Sequence, residues 1–211
     1  MENPVIIFGA NSIGKAALEI FKSNEIEVYG FLDENEALHH TEIDVVPVLG
    51  FPDDGGFTKL IGKKCEAFIA TDETELRKNQ VEMLNEKRKV QPANAVHQAA
   101  IISDSASFGY GNFINAKAFI GSGVEVESHC VIHAGVNLDA GVKVGNFAQI
   151  GTGSNINADV TIEEEAFIGS GVTIVAGVTI GKGARVGAGS VVISDVKAGE
   201  TVFGNPAKAI G

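Results

Sequence analysis

The sequence predicts a small α/β domain over residues 1–95, followed by a parallel β-helix over residues 96–211. Two observations carry this prediction. Near the N terminus a strand, a glycine-containing turn, a helix and a second strand follow one another, and through the second half apolar residues recur at every sixth position. A chain of 211 residues is long enough for two domains that each bury a core.

The composition favours a soluble protein in a reducing compartment. The net charge is −11, and no stretch is rich in lysine or arginine, which argues against a nucleic-acid partner. Cys65 and Cys130 are too few for a disulfide framework or a metal cluster. The N terminus has no signal-peptide pattern, and its apolar run is too short to insert into a membrane. We therefore expect a cytoplasmic protein.

The N-terminal residues follow the order of a dinucleotide-binding unit. An apolar strand over residues 4–8 ends at the turn from Gly9 to Gly14, and a helix and a second strand that ends in Asp33 come next. Two further strands and a helix are expected at residues 45–48, 67–70 and 73–87.

This turn departs from the dinucleotide pattern because Asn11 replaces the middle glycine. That glycine lets the backbone approach a pyrophosphate closely, and an asparagine side chain would crowd a dinucleotide. The sequence thus argues against NAD-dependent chemistry. It leaves open whether the domain binds a single nucleotide or has a structural role. Asp33 has the same two interpretations, either holding a ribose hydroxyl or ending a strand.

The second half keeps a six-residue period without a slip. All sixteen positions of the series from Ile102 to Val192 are apolar, and the residue two positions earlier is always small or medium-sized. We expect the apolar residue to fill the axis of a solenoid and the small residue to fit its corner. Glycine often follows the apolar residue, which we interpret as a turn that needs positive φ, at Gly109, Gly121, Gly145, Gly151, Gly169, Gly181 and Gly187.

A period of six fits neither an α-helix nor a flat sheet. Three hexads close one triangular coil, so sixteen hexads give about five coils stacked about 4.8 Å apart.

Unbroken hexads of this kind resemble the left-handed β-helix of the hexapeptide-repeat acyltransferases. That family is typically trimeric, with active sites between neighbouring helices. The segment Gly204–Lys208, read as Gly-Asn-Pro-Ala-Lys, is typical of this class. The stretches Gly9–Lys15, Gly30–Asn35 and Val96–Ile102 narrow the resemblance to the subfamily of sialic-acid O-acetyltransferases and of bacterial acetyltransferases that act on UDP- or GDP-linked 4-amino sugars.

The resemblance implies an acetyl-CoA-dependent sugar N- or O-acetyltransferase in bacterial glycan or polysaccharide synthesis, a homotrimer without a metal. It implies that the first domain binds the nucleotide sugar at Gly9, Asn11, Gly14 and Asp33. It also implies that acetyl-CoA lies along the later coils, against Gln149, Gly151, Gly169, Gly187 and Lys208.

The chain departs from the family at the catalytic position. The family's catalytic histidine falls on Ala140, the acid before it is kept as Asp139, and a second histidine that assists at the acetyl carbonyl falls on Gln149. A positioned general base contributes roughly 10²–10⁴-fold, and alanine cannot act as one. The candidate bases are Asp139 and His133, with Asp139 alternatively capping a turn.

His133 and His129 follow the hexad pattern at outward positions, where each acts either in catalysis or as a solvated surface residue. His133 lies on a different side of the coil from Asp139, so it would reach the acceptor across a trimer interface. A zinc enzyme on the same solenoid would need a histidine cluster, and the three histidines of this domain, His97 included, do not make that pattern. The alternative function is a catalytically degenerate paralogue that binds a sugar nucleotide or serves as a scaffold.

Overall fold

The computed structural model describes residues 3–210, which separate into two compact units that divide between Gln98 and Ala99. This division lies three residues after the domain boundary expected from the sequence. Within the described residues no helix is long and apolar enough to cross a membrane.

The first unit is built on a five-stranded sheet with helices against it. Its elements are β1 Val5–Phe8, α1 Ser12–Ser23, β2 Val28–Leu32, a 3₁₀ turn Glu36–Leu38, β3 Glu42–Ile43, β4 Val46–Gly50, α2 Gly55–Thr58, β5 Glu66–Ile69, α3 Thr74–Arg88 and β6 Ala95–Val96. Strands β1, β2, β4 and β5 are parallel, β3 is antiparallel to β4, and the order across the sheet is β3-β4-β2-β1-β5.

The local sequence explains these elements. All four residues of β1 are buried, as expected for a central parallel strand covered on both faces. Helix α1 begins after Asn11, whose side chain caps it, and buries an apolar stripe that includes Leu18 and Phe21. The strands and helices expected at residues 4–8, 45–48, 67–70 and 73–87 are confirmed, with small shifts of their ends.

The second unit is a parallel β-helix of two-residue strands. Each strand pairs in register with the strand eighteen residues later, as Phe119 does with Asn137, so one coil is three hexads. The strands are β7 Ile101–Ile102, β8 Ser107–Phe108, β9 Phe113–Ile114, β10 Phe119–Ile120, β11 Glu125–Val126, β12 Val131–Ile132, β13 Asn137–Leu138, β14 Lys143–Val144, β15 Gln149–Ile150, β16 Asn155–Ile156, β17 Thr161–Ile162, β18 Phe167–Ile168, β19 Thr173–Ile174, β20 Thr179–Ile180, β21 Arg185–Val186 and β22 Val191–Val192.

These strands form the three faces of the helix. The first face has the order β22-β19-β16-β13-β10-β7, and the second has the order β20-β17-β14-β11-β8. The third face runs from β9 through β12, β15 and β18 to β21. It ends in a hairpin of β23 Thr201–Gly204 and β24 Ala207–Ala209.

The core of the β-helix confirms the interpretation of the hexads. Every member of the apolar series from Ile114 to Val192 is buried, and only Ile102 and Phe108 in the first coil are half-buried. The small series from Asn112 to Ser190 is buried too. Each coil places three aliphatic side chains on the axis. Their burial stabilises the fold by several kcal/mol per coil, at about 1.5–3 kcal/mol per side chain.

The explanation expected for the glycines after the apolar residue is wrong, because those glycines do not have positive φ. A Cβ added to Gly121 would lie 2.9 Å from the carbonyl oxygen of Leu138, and one added to Gly151 would lie 2.5 Å from the backbone nitrogen of Ser170. The coils stack too closely for a side chain at this position.

Positive φ instead recurs three residues after each apolar residue, at every sixth position from Gly111 to Gly189. Five members of this second series are not glycine, namely Lys117, His129, Phe147, Asp159 and Glu165. The two demands on the backbone, close stacking and a left-handed turn, therefore fall on different residues of the hexad.

Candidate active site

One column of residues runs along the third face of the β-helix, where each strand turns toward the next. His133, Gly151, Gly169 and Gly187 are spaced by eighteen residues and so lie in successive coils. The backbone N–H of His133 donates to the Ile150 carbonyl at 3.0 Å, and that of Gly151 donates to the Ile168 carbonyl at 2.8 Å. A strip without side chains thus follows His133 along the helix.

Packing alone accounts for these three glycines. A Cβ on Gly169 would lie 2.6 Å from the backbone nitrogen of Ala188, and one on Gly187 would meet the ring of Phe203. The role that the resemblance gives them, contact with acetyl-CoA, stays a prediction. Lys208 is exposed in β24 beside Phe203, at the end of the same face, and its role toward the coenzyme also stays a prediction.

His133 and Gln149 lie on the same face of the helix. Gln149 points outward from β15 and pairs with Val131 of β12, and His133 is two residues beyond Val131. Gln149 is only 8% exposed, and the ring of His133 meets that of Phe113 edge-on at 6.2 Å. The two predicted site residues thus share a face of the β-helix, and their roles toward the acetyl group stay predictions.

His129 is not the solvated residue that one of its two interpretations expected. It is 6% exposed, and its ring stacks on that of Phe147 with centroids 4.8 Å apart. Phe147 comes eighteen residues later and so lies in the next coil, directly against it. The backbone of His129 has φ of 62°, and its N–H donates to the Tyr110 carbonyl at 2.7 Å.

Asp139 lies apart from His133, as expected, because it follows β13 on the first face. Its Oδ1 accepts a hydrogen bond of 2.7 Å from the backbone N–H of Ala140, so the carboxylate caps its own turn. Asp139 and Ala140 are both exposed.

A second acid reaches this turn from the next coil. The backbone N–H of Asp159 donates to the carbonyl of Ala140 at 2.9 Å, and a Cβ on Gly141 would lie 2.5 Å from Oδ1 of Asp159. Asp159 is not among the site residues predicted from the sequence. Asp159 lies nineteen residues after Ala140, which is one coil of eighteen residues plus one residue. This spacing indicates that the two residues are close only once the length of the coil is known.

In the glycine turn of the first unit, backbone N–H groups are bonded to the side chain of a residue of the same turn. Oδ1 of Asn11 accepts from the backbone N–H groups of Ile13 and Gly14 at 2.9 and 3.1 Å, and its Nδ2 donates to the Ala70 carbonyl at 2.7 Å. In a phosphate-binding turn these N–H groups would hold the anion. Here Asn11 uses them.

The other residues expected to bind substrate also have structural contacts. Asp33 accepts from the backbone N–H of Ala10 at 2.6 Å and from that of Asn35 at 2.8 Å, which ties the end of β2 to the turn. Gly9 has φ of 114°, and Gly14 packs against the carbonyl of Gly9 too closely for a side chain.

A cleft of about 280 Å³ opens at the carboxyl ends of β1 and β2. Open α/β sheets bind ligands at this edge. Three of the four residues expected to bind substrate line it, Gly9, Asn11 and Asp33, whereas Gly14 does not. Other residues of the lining were not predicted from the sequence, and they include Glu34, Thr71, Asp72, Glu73, Leu76 and Gln80. Within residues 3–210 no group of three or more histidine, cysteine or acidic side chains is placed to hold a metal ion.

Residues 4–84 match the family described as the PglD N-terminal domain. Residues 141–175 and 159–194 match the bacterial transferase hexapeptide family (six repeats), and residues 113–140 match the hexapeptide repeat of succinyl-transferase. These matches confirm the resemblance to the hexapeptide-repeat acyltransferases. The predicted fold class, a Rossmann-like domain followed by a left-handed parallel β-helix, is confirmed.

Solved structures match this chain over its whole length. PerB from Caulobacter crescentus, in complex with CoA and GDP-perosamine, is 27% identical with a TM-score of 0.90, and the match covers 100% of this chain and 99% of that one. WeeI from Acinetobacter baumannii is 26% identical with a TM-score of 0.87, over 98% and 99% of the two chains. The acetyltransferase domain of PglB from Neisseria gonorrhoeae, in complex with acetyl coenzyme A, shares the fold at 23% identity, with a TM-score of 0.90 and full coverage of both chains.

A histidine-to-alanine variant of the Caulobacter GDP-perosamine N-acetyltransferase matches equally well, at 27% identity and a TM-score of 0.90, covering 100% of this chain and 98% of that one. It too is in complex with CoA and GDP-perosamine. No curated protein sequence matches the chain.

Proposed function

We propose that this protein is an acetyl-CoA-dependent acetyltransferase that acts on a nucleotide-linked amino sugar in bacterial glycan or polysaccharide synthesis. The observation that carries the proposal is the match to PerB, a protein in complex with CoA and GDP-perosamine, across both units of the chain at 27% identity. A cytoplasmic homotrimer is part of the proposal, since the family's active sites lie between neighbouring β-helices.

The two substrates have separate places in the proposal. The cleft at the carboxyl ends of β1 and β2 takes the nucleotide, because its position is the usual ligand edge of such a sheet. Acetyl-CoA lies along the coils that carry Gly151, Gly169 and Gly187, which is the placement that the resemblance implies.

The reaction is attack of the sugar amine on the thioester carbonyl carbon. A C–N bond forms, the C–S bond breaks, and the departing CoA thiolate takes up a proton while the amine loses one. The buried amide of Gln149 supplies an N–H donor for the oxyanion that develops at the carbonyl, which is modest electrostatic stabilisation.

The base that accepts the amine proton is one of three groups. Asp139 and Asp159 both lie at the turn of Ala140, one before it in sequence and one in the next coil. His133 lies on another face and serves a neighbouring subunit in the trimer. Because Ala140 itself cannot take a proton, alignment of the substrates carries a larger share of the acceleration than in a histidine enzyme.

The test is acetyl-CoA turnover with a panel of GDP- and UDP-linked 4-amino sugars, followed as release of the CoA thiol and as the mass of the acetylated sugar. We expect one nucleotide sugar to accelerate thiol release above the rate with the nucleotide alone. Binding of CoA and of a nucleotide sugar without any acetylated product would contradict catalysis and support the alternative below. Binding of neither would overturn the acetyltransferase, and of the alternative it would leave only a scaffold that binds a partner enzyme.

The alternative is a degenerate paralogue that binds a nucleotide sugar or a partner enzyme without turnover. Ala140 at the family's histidine position favours it. The alanine variant of the Caulobacter enzyme holds both CoA and GDP-perosamine, so in that protein binding does not require the replaced histidine.

A further inference from the structure

We propose that the cleft of the first unit selects guanine as the base of the nucleotide, with Gln80 and the acidic residues at its rim as the selecting groups. This inference rests on the proposed function in one respect, namely that the first unit binds a nucleotide sugar. It adds the identity of the base, which neither the motifs nor the fold specify.

Gln80 is the first observation. It projects from α3 and is only 6% exposed, yet its Oε1 has no hydrogen-bond partner among the residues that the structure describes. A buried carbonyl oxygen without a donor is costly, and in a native protein it calls for a specific explanation. Gln80 lines the cleft at the strand ends, so a donor on a bound ligand would satisfy it.

The charge of the cleft is the second observation. Asp33, Glu34, Asp72 and Glu73 all line it, and neither lysine nor arginine is among its lining residues. The N–H groups at the start of α1 are already bonded to Asn11. The cleft therefore offers hydrogen-bond acceptors and repels phosphate, so the part of the nucleotide that enters it is the neutral, donor-rich part.

The shape of the adjoining surface fits a flat ring. A second cleft of about 560 Å³ shares Glu34, Leu76 and Gln80 with the first and adds the apolar side chains of Phe51 and Met83. A base lying over these side chains would present its polar edge to Gln80 and Glu34.

Among the bases, guanine matches this set of acceptors best. Its N1–H and its N2 amino group are adjacent donors on one edge, and a carboxylate accepts both at once. Uracil has one N–H between two carbonyl oxygens, and these oxygens would face carboxylates and the unpaired oxygen of Gln80. The pattern of hydrogen-bond donors on the base, and not its size, therefore favours guanine over uracil.

The experiment is calorimetric titration of the full-length protein with GDP, UDP, dTDP and ADP, without acetyl-CoA. We expect GDP to bind at least about tenfold more tightly than UDP, the discrimination of one good bidentate contact. The Gln80→Leu variant, which keeps the buried volume and removes the oxygen, should lower the affinity for GDP by about tenfold and leave that for UDP nearly unchanged. Gln91, which is exposed and outside both clefts, gives the matched control variant Gln91→Leu.

Circular dichroism of each variant checks that it is folded. Where Gln80→Leu does not fold, Glu34→Gln is titrated in its place, because Glu34 is exposed and its replacement removes only the charge. UDP binding as tightly as GDP, or a GDP affinity unmoved by Gln80→Leu or Glu34→Gln, overturns the choice of base and leaves acetyl transfer untouched. Binding of none of the four nucleotides overturns the inference outright. Acetyl-CoA turnover with a UDP-linked sugar, measured separately, reports on the proposed function alone.

Discussion

The backbone N–H of Asp159 donates to the carbonyl of Ala140 at 2.9 Å, so an acidic residue of one coil is fixed against the turn of Ala140 in the coil before it. Asp139 is held at the same turn by its bond to the Ala140 N–H. Two carboxylates thus accompany a position where the family has a histidine. Their separate contributions can be measured.

Replacing Asp159 by asparagine should lower kcat for acetyl transfer by about 10–100-fold and leave the KM for acetyl-CoA nearly unchanged. Asparagine keeps the shape of the side chain and cannot accept a proton, so the loss appears in the chemical step. Steady-state kinetics would show it. The control is Asp104→Asn, an exposed acid in the first coil. An equal loss in both variants would mean that Asp159 acts only through charge or stability.

The Ala140→His variant should raise kcat for acetyl transfer by about 10²-fold, because it restores a general base at the position where the resemblance places one. The position is exposed, so the larger side chain needs no repacking. Ala176, which is exposed at the same place two coils later, gives the control Ala176→His. No gain in the Ala140→His variant would show that the acceptor sugar lies elsewhere or that another base already serves.

Gly151→Ala should cost about 3 kcal/mol of the free energy of unfolding, because its Cβ would lie 2.5 Å from the backbone of the next coil. Gly153→Ala should cost about 1 kcal/mol, since Gly153 has φ of 70° with open space around its Cβ position. Thermal and urea unfolding of the two variants would give both free energies of unfolding, and so compare the cost of a clash between coils with the cost of a strained φ. The reverse order of stabilities would show that the coils can separate easily at this point.

Burial raises the pKa of the Cys65 thiol, and the nearby Glu27 carboxylate raises it further, against a smaller opposing effect of Lys64. The folded state therefore holds the thiol proton to a higher pH than the unfolded chain does. This contribution to stability is fully present below the thiol pKa of the unfolded chain and is lost as the pH rises through that of the folded state. We expect the free energy of unfolding to fall at alkaline pH, above about pH 8.5.

The Cys65→Ala variant should lose less stability than the wild type over this alkaline range, since it lacks the titrating thiol. Urea unfolding at a series of pH values measures both. Parallel curves for the two proteins would show that Cys65 does not contribute to the alkaline loss.

The hexads made the β-helix predictable because burial repeats with the geometry of the coil, from Ile114 to Val192. The reason for the glycines was not predictable in the same way. Close stacking and positive φ both select glycine, and only the backbone shows that Gly121 meets the first demand and Gly123 the second.

The candidate site was less predictable than the fold, since it depends on neighbours one coil or one element away. The sequence placed His133 and Asp139 on different faces, which the topology shows. It could not reveal that Phe147 buries His129 or that Asp159 reaches the turn of Ala140. Gln80 gave no signal at all, because a polar residue in a largely polar helix looks solvated until the packing of α3 is known.

The eighteen-residue coil has a consequence for how such a chain can vary. Deleting one hexad between His133 and Gly151 would keep the six-residue period of the remaining aliphatic side chains. All residues beyond the deletion, however, would move round by one third of a turn, and Gly151 would no longer continue the line that begins at His133. Natural length changes in this half should therefore come as whole coils or as loops extruded at the corners.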